Sequence, residues 1–394
     1  MVHYECVVVG GGLIGATAAL GLAHQGRSVA LLEAMTPLPL MPAVPPDIRV
    51  SALNSRSVAL LERLGVWSAR TALRGAPFRH LAVWEQGAPS IVSFSSESLQ
   101  QPYLGYMVEN RVLQYELWQQ LITNQPLTLY TPVTLQQLIR AQKGWQLRLS
   151  DGRQLTTSLV IGADGKHSAV RQQAGIGMSG WQYRQQCLLI TVQTEQPQQA
   201  ITWQCFYPSG PRAFLPLTDH WASLAWYDTP DRIRELQALS WPQLTNAIHQ
   251  AYPERLGAVT ATAAQAFRLE RQHAARYYLP GLVLIGDAAH TIHPLAGQGA
   301  NLGFRDVVAL LSVLDPLPSL EEAINLEVSL KHYQRRRQDD NRWMQRAMDL
   351  IYQSFSTQRA PLPWIRQLAL RSVSRCTWLK QGLLHYALGL SLEG

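Results

Sequence analysis

The sequence contains 394 residues, of which 47% are hydrophobic and 15% are charged, and this composition excludes a disordered chain. Its four cysteines show neither CxxC nor metal-ligand spacing, which is typical of a reduced, cytoplasmic protein rather than a disulfide-stabilised one. The formal net charge of +7 arises largely near the C-terminus, where residues 331–380 include eleven Lys and Arg against three acidic residues. The uncharged run 6–23 contains five glycines and lacks the basic start of a signal peptide, so no membrane span is predicted there.

The chain begins with a predicted βαβ unit. An apolar, β-rich run over 4–9 indicates a buried strand, and the Ala- and Leu-rich segment 13–24 indicates a helix. A second buried strand over 28–32 ends at Glu33. A proline-rich loop then leads to a predicted helix over 54–64.

Two strand-rich blocks interrupt this pattern. Strand-like runs occur over 79–95 and again through 182–269, where turn residues separate them as in an antiparallel sheet. Between the blocks, leucines at every fourth position predict a helix over 110–121. An Asp-Gly turn predicts a hairpin over 145–157.

The end of the chain returns to nucleotide-fold composition and then becomes helical. A buried strand over 282–285 precedes a helix over 302–314, and most of the remainder is helical and basic. We therefore predict a discontinuous nucleotide-binding domain, a strand-rich domain inserted into it, and a basic C-terminal helical region. The predicted ranges are 1–75, 105–180 and 270–330 for the first, 76–104 and 181–269 for the second, and 331–394 for the third.

The glycines between the first strand and helix match the pattern GxGxxG. Gly10 permits the tight turn, Gly12 lets the backbone approach a pyrophosphate, and Gly15 allows the helix to pack closely on the strand. The helix N-terminus presents N–H groups to phosphates, and Glu33 is placed to accept a hydrogen bond from a ribose hydroxyl. Because an acid disfavours a 2′-phosphate, the pattern predicts FAD or NAD rather than NADP; the alternative is an ordinary Gly-rich turn.

Two later motifs also place an acid at the end of a strand. The first is Gly-Ala-Asp-Gly over 162–165, which contains Asp164 and which, taken alone, indicates only a turn. The second begins with Gly286-Asp287 and continues through a glycine-rich run over 297–303 that opens a helix. Asp287 is poised to bond a polyol, and the helix N–H groups can face an anion such as a reduced flavin.

Together and in this order, the three motifs resemble the class A flavoprotein monooxygenases of the para-hydroxybenzoate hydroxylase type, over about residues 3–345. The run 290–303 is similar to the ubiquinone-biosynthesis hydroxylases within that class. The stretches 104–110, 210–217 and 221–228 resemble the branch that hydroxylates demethoxyubiquinol at ring carbon 5. The resemblance implies an α/β (α+β overall) fold, with a Rossmann-type FAD domain interleaved with an antiparallel substrate-binding sheet.

The resemblance also implies which residues hold FAD. The first glycine motif is implied to bind the pyrophosphate, Glu33 the adenosine ribose and Asp287 the ribityl chain. Pro294 and the segment 297–301 are implied to border the isoalloxazine. Asp164 is implied in both FAD and nicotinamide binding. Many relatives carry Arg where this chain has Asn110, with Arg111 next to it, and either could contact the flavin. The full cofactor set is Gly10, Gly12, Leu13, Ile14, Gly15, Glu33, Arg49, Asn110, Arg111, Asp164, Gly286, Asp287, Pro294, Gly297, Gln298, Gly299, Ala300 and Asn301.

The implied reaction uses NADH or NADPH to reduce FAD and O2 to form a C4a-hydroperoxyflavin, which hydroxylates a quinol ring in a site that excludes water. Pro294 and His290 are the catalytic candidates, and His290 or His293 could assist deprotonation of the substrate hydroxyl; a structural histidine is the alternative. Candidates for the substrate pocket, with sheet core as the alternative, are Phe206, Phe214, Leu215, Pro216 and Trp226. No metal site is predicted.

The implied substrate carries a prenyl tail and resides in the bilayer. We therefore expect a cytoplasmic protein that is peripheral on the inner face of the cytoplasmic membrane and meets other ubiquinone-biosynthesis proteins. Nucleic acid is not an expected partner, and the oligomeric state stays open, a homodimer included. The basic, Trp-containing C-terminal region could lie on anionic lipid, or it could be a solvated helical face packed on the catalytic body. Its members are Arg335, Arg336, Arg337, Arg342, Arg346, Trp364, Arg366, Arg371, Arg375, Trp378 and Lys380.

Three other functions remain open from the sequence alone. One is a hydroxylase of another ring position or of a soluble phenol. Another is a catalytically idle flavin-binding subunit of a biosynthetic complex. The third is an NAD-dependent dehydrogenase, which bound flavin in the purified protein would exclude.

Overall fold

The structure is a computed structural model. It describes residues 1–40, 45–88, 91–123, 127–293, 297, 299–317 and 319–356.

The helices are distributed along the whole described chain. They are α1 (Leu13–His24), α2 (Ser55–Arg63), α3 (Ala69–Arg74), α4 (Asn110–Thr123), α5 (Ala169–Gln173), α6 (Pro230–Gln237), α7 (Trp241–Ala251), α8 (Gly299–Leu314) and α9 (Ala323–Ser356). Local sequence fixes several starts: the Asn54 side chain accepts a hydrogen bond from the Ser57 amide at the start of α2. A Ser240–Gln243 capping box and a proline in the first turn begin α7.

The first sheet is largely parallel and forms the base of the nucleotide fold. Its strands are β1 (Val2–Val9), β2 (Val29–Leu32), β8 (Leu127–Tyr130), β9 (Leu135–Arg140), β10 (Trp145–Leu149), β11 (Gln154–Gly162), β17 (Tyr278–Leu279) and β18 (Leu282–Leu284). The order β18-β11-β1-β2 is parallel throughout. Helices α1 and α8 pack together beside this sheet, and the main core surrounds it.

The second sheet is mostly antiparallel. Its strands are β5 (His80–Glu85), β6 (Ile91–Ser95), β12 (Met178–Thr194), β13 (Ile201–Phe206), β14 (Arg212–Pro216), β15 (Trp221–Asp228), β16 (Val259–Ala274) and β19 (His290–Thr291). Helices α6 and α7 cover one of its faces, where Trp203 and Trp226 pack against Ile233 and Ile248. A small third sheet contains β3 (Val50–Asn54), β4 (Ala76–Phe78) and β7 (Gly105–Glu109).

The predicted fold class is confirmed, and several elements match closely. The predicted helix over 13–24 is α1, and the hairpin is the antiparallel pair β10–β11, whose turn residue Gly152 has a φ of +85°. The helices α6 and α7, however, lie inside a block in which the sequence predicted strands alone. Both helices are short and are flanked by strand-like runs, so the sequence shows no clear helical periodicity there.

Three cysteines, Cys6, Cys187 and Cys205, are free and buried. Burial raises the pKa of Cys187 to about 12 and that of Cys205 to about 11. Burial likewise raises the pKa of Cys6. These thiols therefore stay protonated at neutral pH.

Candidate active site

The three predicted motifs meet at one edge of the first sheet. The register pairs Val9 with Leu32 and with Gly162, and pairs Gly162 with Leu284, so four strands end side by side. The segments that follow these strands begin at Gly10, Glu33, Ala163 and Ile285. The carboxyl edge of a parallel sheet is where ligands bind in such folds, and it gathers these segments into one candidate site.

The first turn shows why glycine is needed. Gly10 has a φ of +104°, and its amide donates to the Leu32 carbonyl oxygen (2.8 Å). A Cβ on Gly15 would lie 1.9 Å from the Gly10 carbonyl oxygen, whereas a Cβ on Gly12 would meet no other part of the described chain within 4 Å, its sequence neighbours aside. Gly15 therefore serves the packing of α1 on the turn, and the space beside Gly12 is left open. No side chain caps α1, so its first N–H groups face that space, at Leu13 and Ile14.

Glu33 is joined to the glycine turn. Its Oε2 accepts a hydrogen bond from the Gly11 amide (2.5 Å), and its Oε1 accepts one from the Met35 amide (3.0 Å). The Trp118 indole of α4 donates to the Gly11 carbonyl oxygen (2.9 Å). The acid at the end of β2 thus fixes the turn in addition to facing the site.

Asp164 organises the second motif. Its carboxylate accepts hydrogen bonds from the Ser168 hydroxyl (2.5 Å) and the Val170 amide (3.1 Å), which holds the start of α5. Arg171 of α5 then donates to the Ala288 carbonyl oxygen (3.0 Å) and to that of Lys166 (2.9 Å). Through Arg171 the second motif is tied to the third.

The side chain of Asp287 is accessible to solvent although protein is packed around it. Its side chain is exposed to solvent, yet burial raises the pKa of Asp287 above its usual value. The nearby charges of His290, Arg49 and Lys166 act in the opposite direction and lower this pKa. An accessible carboxylate with protein packed around it is the setting expected for a ligand-binding acid.

A buried carboxylate, Asp306 of α8, holds the turn that contains Asp287. Its Oδ2 accepts hydrogen bonds from the Gly286 amide (2.9 Å) and from Nε2 of His290 (2.5 Å). Its Oδ1 accepts one from Nε of Arg337 in α9 (2.8 Å). Burial opposes the charged form, but the charges and hydrogen bonds of His290 and Arg337 outweigh it and lower the pKa of Asp306 to about 2.

This network changes the prediction for two residues. Arg337 was grouped with the basic surface of the C-terminal region, and that was wrong: it is 4% exposed and bonded to Asp306, Asp340 and Asn341. His290, one of the two catalytic candidates, is buried and hydrogen-bonded to Asp306. The link between Asp306 and Arg337 was not predicted, because no local pattern joins residues on two different helices.

Asn301 uses its side chain to join α8 to the third sheet. Its Oδ1 accepts hydrogen bonds from the Asn54 amide (3.0 Å) and the Ser57 hydroxyl (2.8 Å), and its Nδ2 donates to the Ala52 carbonyl oxygen (2.7 Å). A Cβ on Gly297 would lie 3.2 Å from that of Ala52, while one on Gly299, the first residue of α8, would meet nothing within 4 Å. Ala300 follows in the first turn of α8. Pro294 and Gln298 lie outside the described residues.

The remaining flavin candidates lie on the third sheet and its flanks. Arg49 is exposed, with its guanidinium 5.2 Å from the ring centroid of Phe267 in β16. Asn110 accepts a hydrogen bond from the Ser51 hydroxyl (2.6 Å). Arg111 donates to Glu109 (3.1 Å) and to the Pro45 carbonyl oxygen (2.8 Å). The side chain of Arg111 is therefore already held by the protein, and that of Asn110 is held by the Ser51 hydroxyl.

The five substrate candidates lie on both faces of the second sheet. Phe214 stacks on Trp203 beneath α6 and α7, together with Trp226, and Pro216 shares that face by strand alternation. Leu215 points the other way, toward the core of the third sheet. Phe206 stacks on Phe355 of α9, with ring centroids 3.8 Å apart. The set is not brought together in one place.

His293 occupies an aromatic cage. Its ring lies 4.6 Å from that of Tyr183, 5.8 Å from that of Tyr227 and 5.3 Å from that of Tyr352, measured between centroids. Its two ring nitrogens are buried and have no hydrogen-bond partner among the described residues. Burial lowers the pKa of His293 to about 4, so the imidazole is neutral at physiological pH.

The fold and the convergence of three motifs define an FAD-dependent monooxygenase. The chain belongs to the FAD binding domain family, whose model matches residues 3–339. It is 50% identical over 386 residues to the 3-demethoxyubiquinol 3-hydroxylase of Escherichia coli (strain K12), a match that covers 98% of both chains. It is 34% identical to the ubiquinone hydroxylase UbiL of Rhodospirillum rubrum, over 98% of this chain and 89% of that one. The predicted family, enzyme class and cofactor are confirmed.

A solved structure shows the same fold. The p-nitrophenol 4-monooxygenase PnpA of Pseudomonas putida superposes with a TM-score of 0.78 at 17% identity, covering 98% of this chain and 99% of that one. In the described part of the chain, no helix has the length and apolar character needed to span a bilayer.

Proposed function

We propose that this protein hydroxylates the ring of demethoxyubiquinol, a prenylated benzoquinol, in ubiquinone biosynthesis. The observation that carries this proposal is the 50% identity, over 98% of both chains, to a 3-demethoxyubiquinol 3-hydroxylase. A benzoquinol that carries a prenyl tail, a methyl group and a methoxy group has one free ring carbon. That carbon, position 5 in benzoquinol numbering, is the proposed site of hydroxylation.

The residues at the sheet edge fit FAD. The open space beside Gly12 and the uncapped start of α1 suit a pyrophosphate. The exposed carboxylate of Asp287 suits a polyol. When bound, FAD supplies electron transfer from NADH or NADPH and the activation of O2. The residues proposed to hold it are the full cofactor set named above, from Gly10 to Asn301. Because the Asn301 side chain is already hydrogen-bonded within the protein, Asn301 would contribute through its position at the start of α8.

The two motif histidines are proposed to differ in role. His290 is fixed between Asp306 and the aromatic ring of Tyr277, 5.9 Å away, so it orients the turn that contains Asp287. His293 is neutral, buried and free of hydrogen bonds to the described chain, so it can accept a hydrogen bond from the quinol hydroxyl. We therefore assign the proton-handling role to His293, immediately before Pro294, and a positioning role to His290.

Apolar side chains beside His293 are proposed to exclude water. Tyr227, Ala225 and Ala213 share its face of the second sheet, with Leu189 packed against them. Such a surface would accept a quinol ring and protect a reactive oxygen from water. Of the original pocket candidates, Leu215 and Phe206 point toward this side, whereas Phe214 and Trp226 serve the core beneath the helices.

The domain division and the cellular setting are part of the proposal. The inserted ranges 76–104 and 181–269 are proposed as the substrate domain, and the interleaved remainder as the FAD domain. Because the substrate's prenyl tail resides in lipid, we propose a peripheral position on the inner face of the cytoplasmic membrane. Other ubiquinone-biosynthesis proteins are the proposed partners.

A reconstituted assay tests the reaction. Purified protein loaded with FAD is given NADH or NADPH and a short-chain demethoxyubiquinol analogue, and nicotinamide oxidation, O2 consumption and product mass are measured. We expect quinol-dependent oxidation and a product heavier by one oxygen atom at the free ring carbon. Turnover of soluble phenols but not of the quinol would overturn the substrate, and bound flavin without nicotinamide oxidation would overturn the enzymatic role.

A further inference from the structure

The long helix α9 has two unlike sides. One side packs on the body of the protein through buried residues such as Leu330, Tyr333, Arg337 and Met344. The opposite side is exposed over at least six turns. We call it the α9 basic face and define it by Lys331, Arg335, Arg336, Arg342, Trp343, Arg346 and Leu350, all of which are exposed.

The charge of this face is predominantly positive. Between 331 and 353 the exposed residues of α9 include five Lys and Arg and a single acid, Asp339. The charged atoms of Asp339 and Arg342 lie 3.8 Å apart. The face therefore attracts an anionic partner.

The apolar members lie beside the charges in an ordered way. Arg335, Arg342 and Arg346 are spaced by seven and four residues, which places them in one row along the helix. Trp343 and Leu350 are also seven apart and form the adjacent row. They are 66% and 69% exposed, which is unusual for a large apolar side chain on a helix that already has a buried side.

This combination identifies one occupant. A basic row beside exposed Trp and Leu on a helix is the chemistry that binds an anionic lipid surface, with the cations at phosphate headgroups and the apolar row in the interface. The 38 residues that follow α9 contain five Lys and Arg and one Glu, so their charge opposes rather than favours their covering this face.

We propose that the α9 basic face docks the enzyme on an anionic lipid bilayer. The inference rests on the proposed function in that the prenyl tail explains why an enzyme of this fold would meet a bilayer. The docking itself is independent of the reaction. Arg337 takes no part in it, because this residue is buried against Asp306.

Vesicle co-sedimentation of the full-length, FAD-loaded protein tests the docking. The vesicles are phosphatidylcholine alone, or phosphatidylcholine mixed with phosphatidylglycerol. The first variant replaces Arg335, Arg342 and Arg346 by Gln. A matched control replaces Arg63, Lys143 and Arg148, three exposed basic residues on other elements, by Gln and so changes the net charge equally.

We expect wild-type protein to bind the anionic vesicles and to release as salt rises. At about 1 kcal/mol per basic residue, the α9 variant should bind on the order of 100-fold more weakly, and the control should bind like wild type. A second variant, Trp343→Ser with Leu350→Ser, should weaken the binding that remains at high salt.

Other outcomes would overturn the docking. If the α9 variant and the control lost vesicle binding equally, the effect would be due to net charge alone. If wild type bound both vesicle types equally, anionic lipid would not be the binding partner. If wild type did not bind vesicles and the α9 residues were instead needed to bind an acidic protein, the partner of this face would be that protein and not a lipid bilayer. Turnover of a short-chain quinol by each variant is measured in parallel, so failure of the docking and failure of the reaction are seen separately.

Discussion

Replacing Arg337 by Met tests whether α9 holds the turn that contains Asp287. The guanidinium donates to Asp306 (2.8 Å), to Asp340 (2.5 Å) and to Asn341 (3.0 Å), and the side chain is almost fully buried. Met fills a similar volume but leaves the Asp306 carboxylate, which is fully buried, without its guanidinium partner. Breaking a buried pair in this way costs about 3–5 kcal/mol.

The pKa of Asp306 shows how strongly the whole network favours the charged carboxylate. The folded protein lowers it from an ordinary 3.8 to about 2, a difference of 3.8 − 2 = 1.8 pH units, which corresponds to roughly 2 kcal/mol in favour of the charged form. Because the folded value is the lower one, this contribution is complete above pH ~4 and is lost as pH falls from about 4 to 2. The free energy of unfolding of wild type should fall across that interval, and the variant Asp306→Asn should show a smaller fall.

Denaturant titration with and without FAD is the assay. We expect Arg337→Met to lower the free energy of unfolding by about 3–5 kcal/mol and to release FAD more readily, because Asp306, the partner of the Gly286 amide and His290, is no longer held in place by Arg337. Arg337→Lys should recover part of the stability, since it keeps the charge but not the planar fork. Combining Asp306→Asn with Arg337→Met should cost less than the sum of the two. An Arg337→Met protein within 0.5 kcal/mol of wild type would refute the reasoning.

Three further substitutions test the site itself. Gly12→Glu should abolish FAD binding, because a charged side chain would fill the open space proposed for the pyrophosphate; full flavin content by absorbance would contradict the cofactor assignment. Asp287→Ala should raise the flavin dissociation constant roughly 10- to 150-fold while circular dichroism stays unchanged, as expected for loss of a charge-assisted hydrogen bond. His293→Phe keeps an aromatic ring among the tyrosines, so bound FAD should persist while kcat for quinol hydroxylation falls on the order of 10²-fold. An unchanged kcat would exclude a proton role for His293.

The sequence predicted what depends on neighbouring residues. The turn from Gly10 to Gly15 and the acid at Glu33 follow from short spacings, and parallel strands bring their ends together without further information. The sequence did not show that Phe214 and Leu215 lie on opposite faces of the second sheet with different surroundings. Those surroundings depend on α6 and α7, which cover the Phe214 face and were not predicted. The sequence also placed Arg337 on the surface, since its buried partner Asp306 is 31 residues away on another helix.

The burial of the cysteines affects how well such an enzyme resists oxidation by the by-product of its own reaction. A flavin that reacts with oxygen releases hydrogen peroxide whenever substrate is not hydroxylated, and peroxide attacks thiolates rather than thiols. With a pKa of about 11, Cys205 is a thiolate in roughly one molecule in ten thousand at pH 7, and Cys187 in still fewer. These side chains are also closed to solvent. The same burial that packs the second sheet therefore makes its cysteines poor targets for this oxidant.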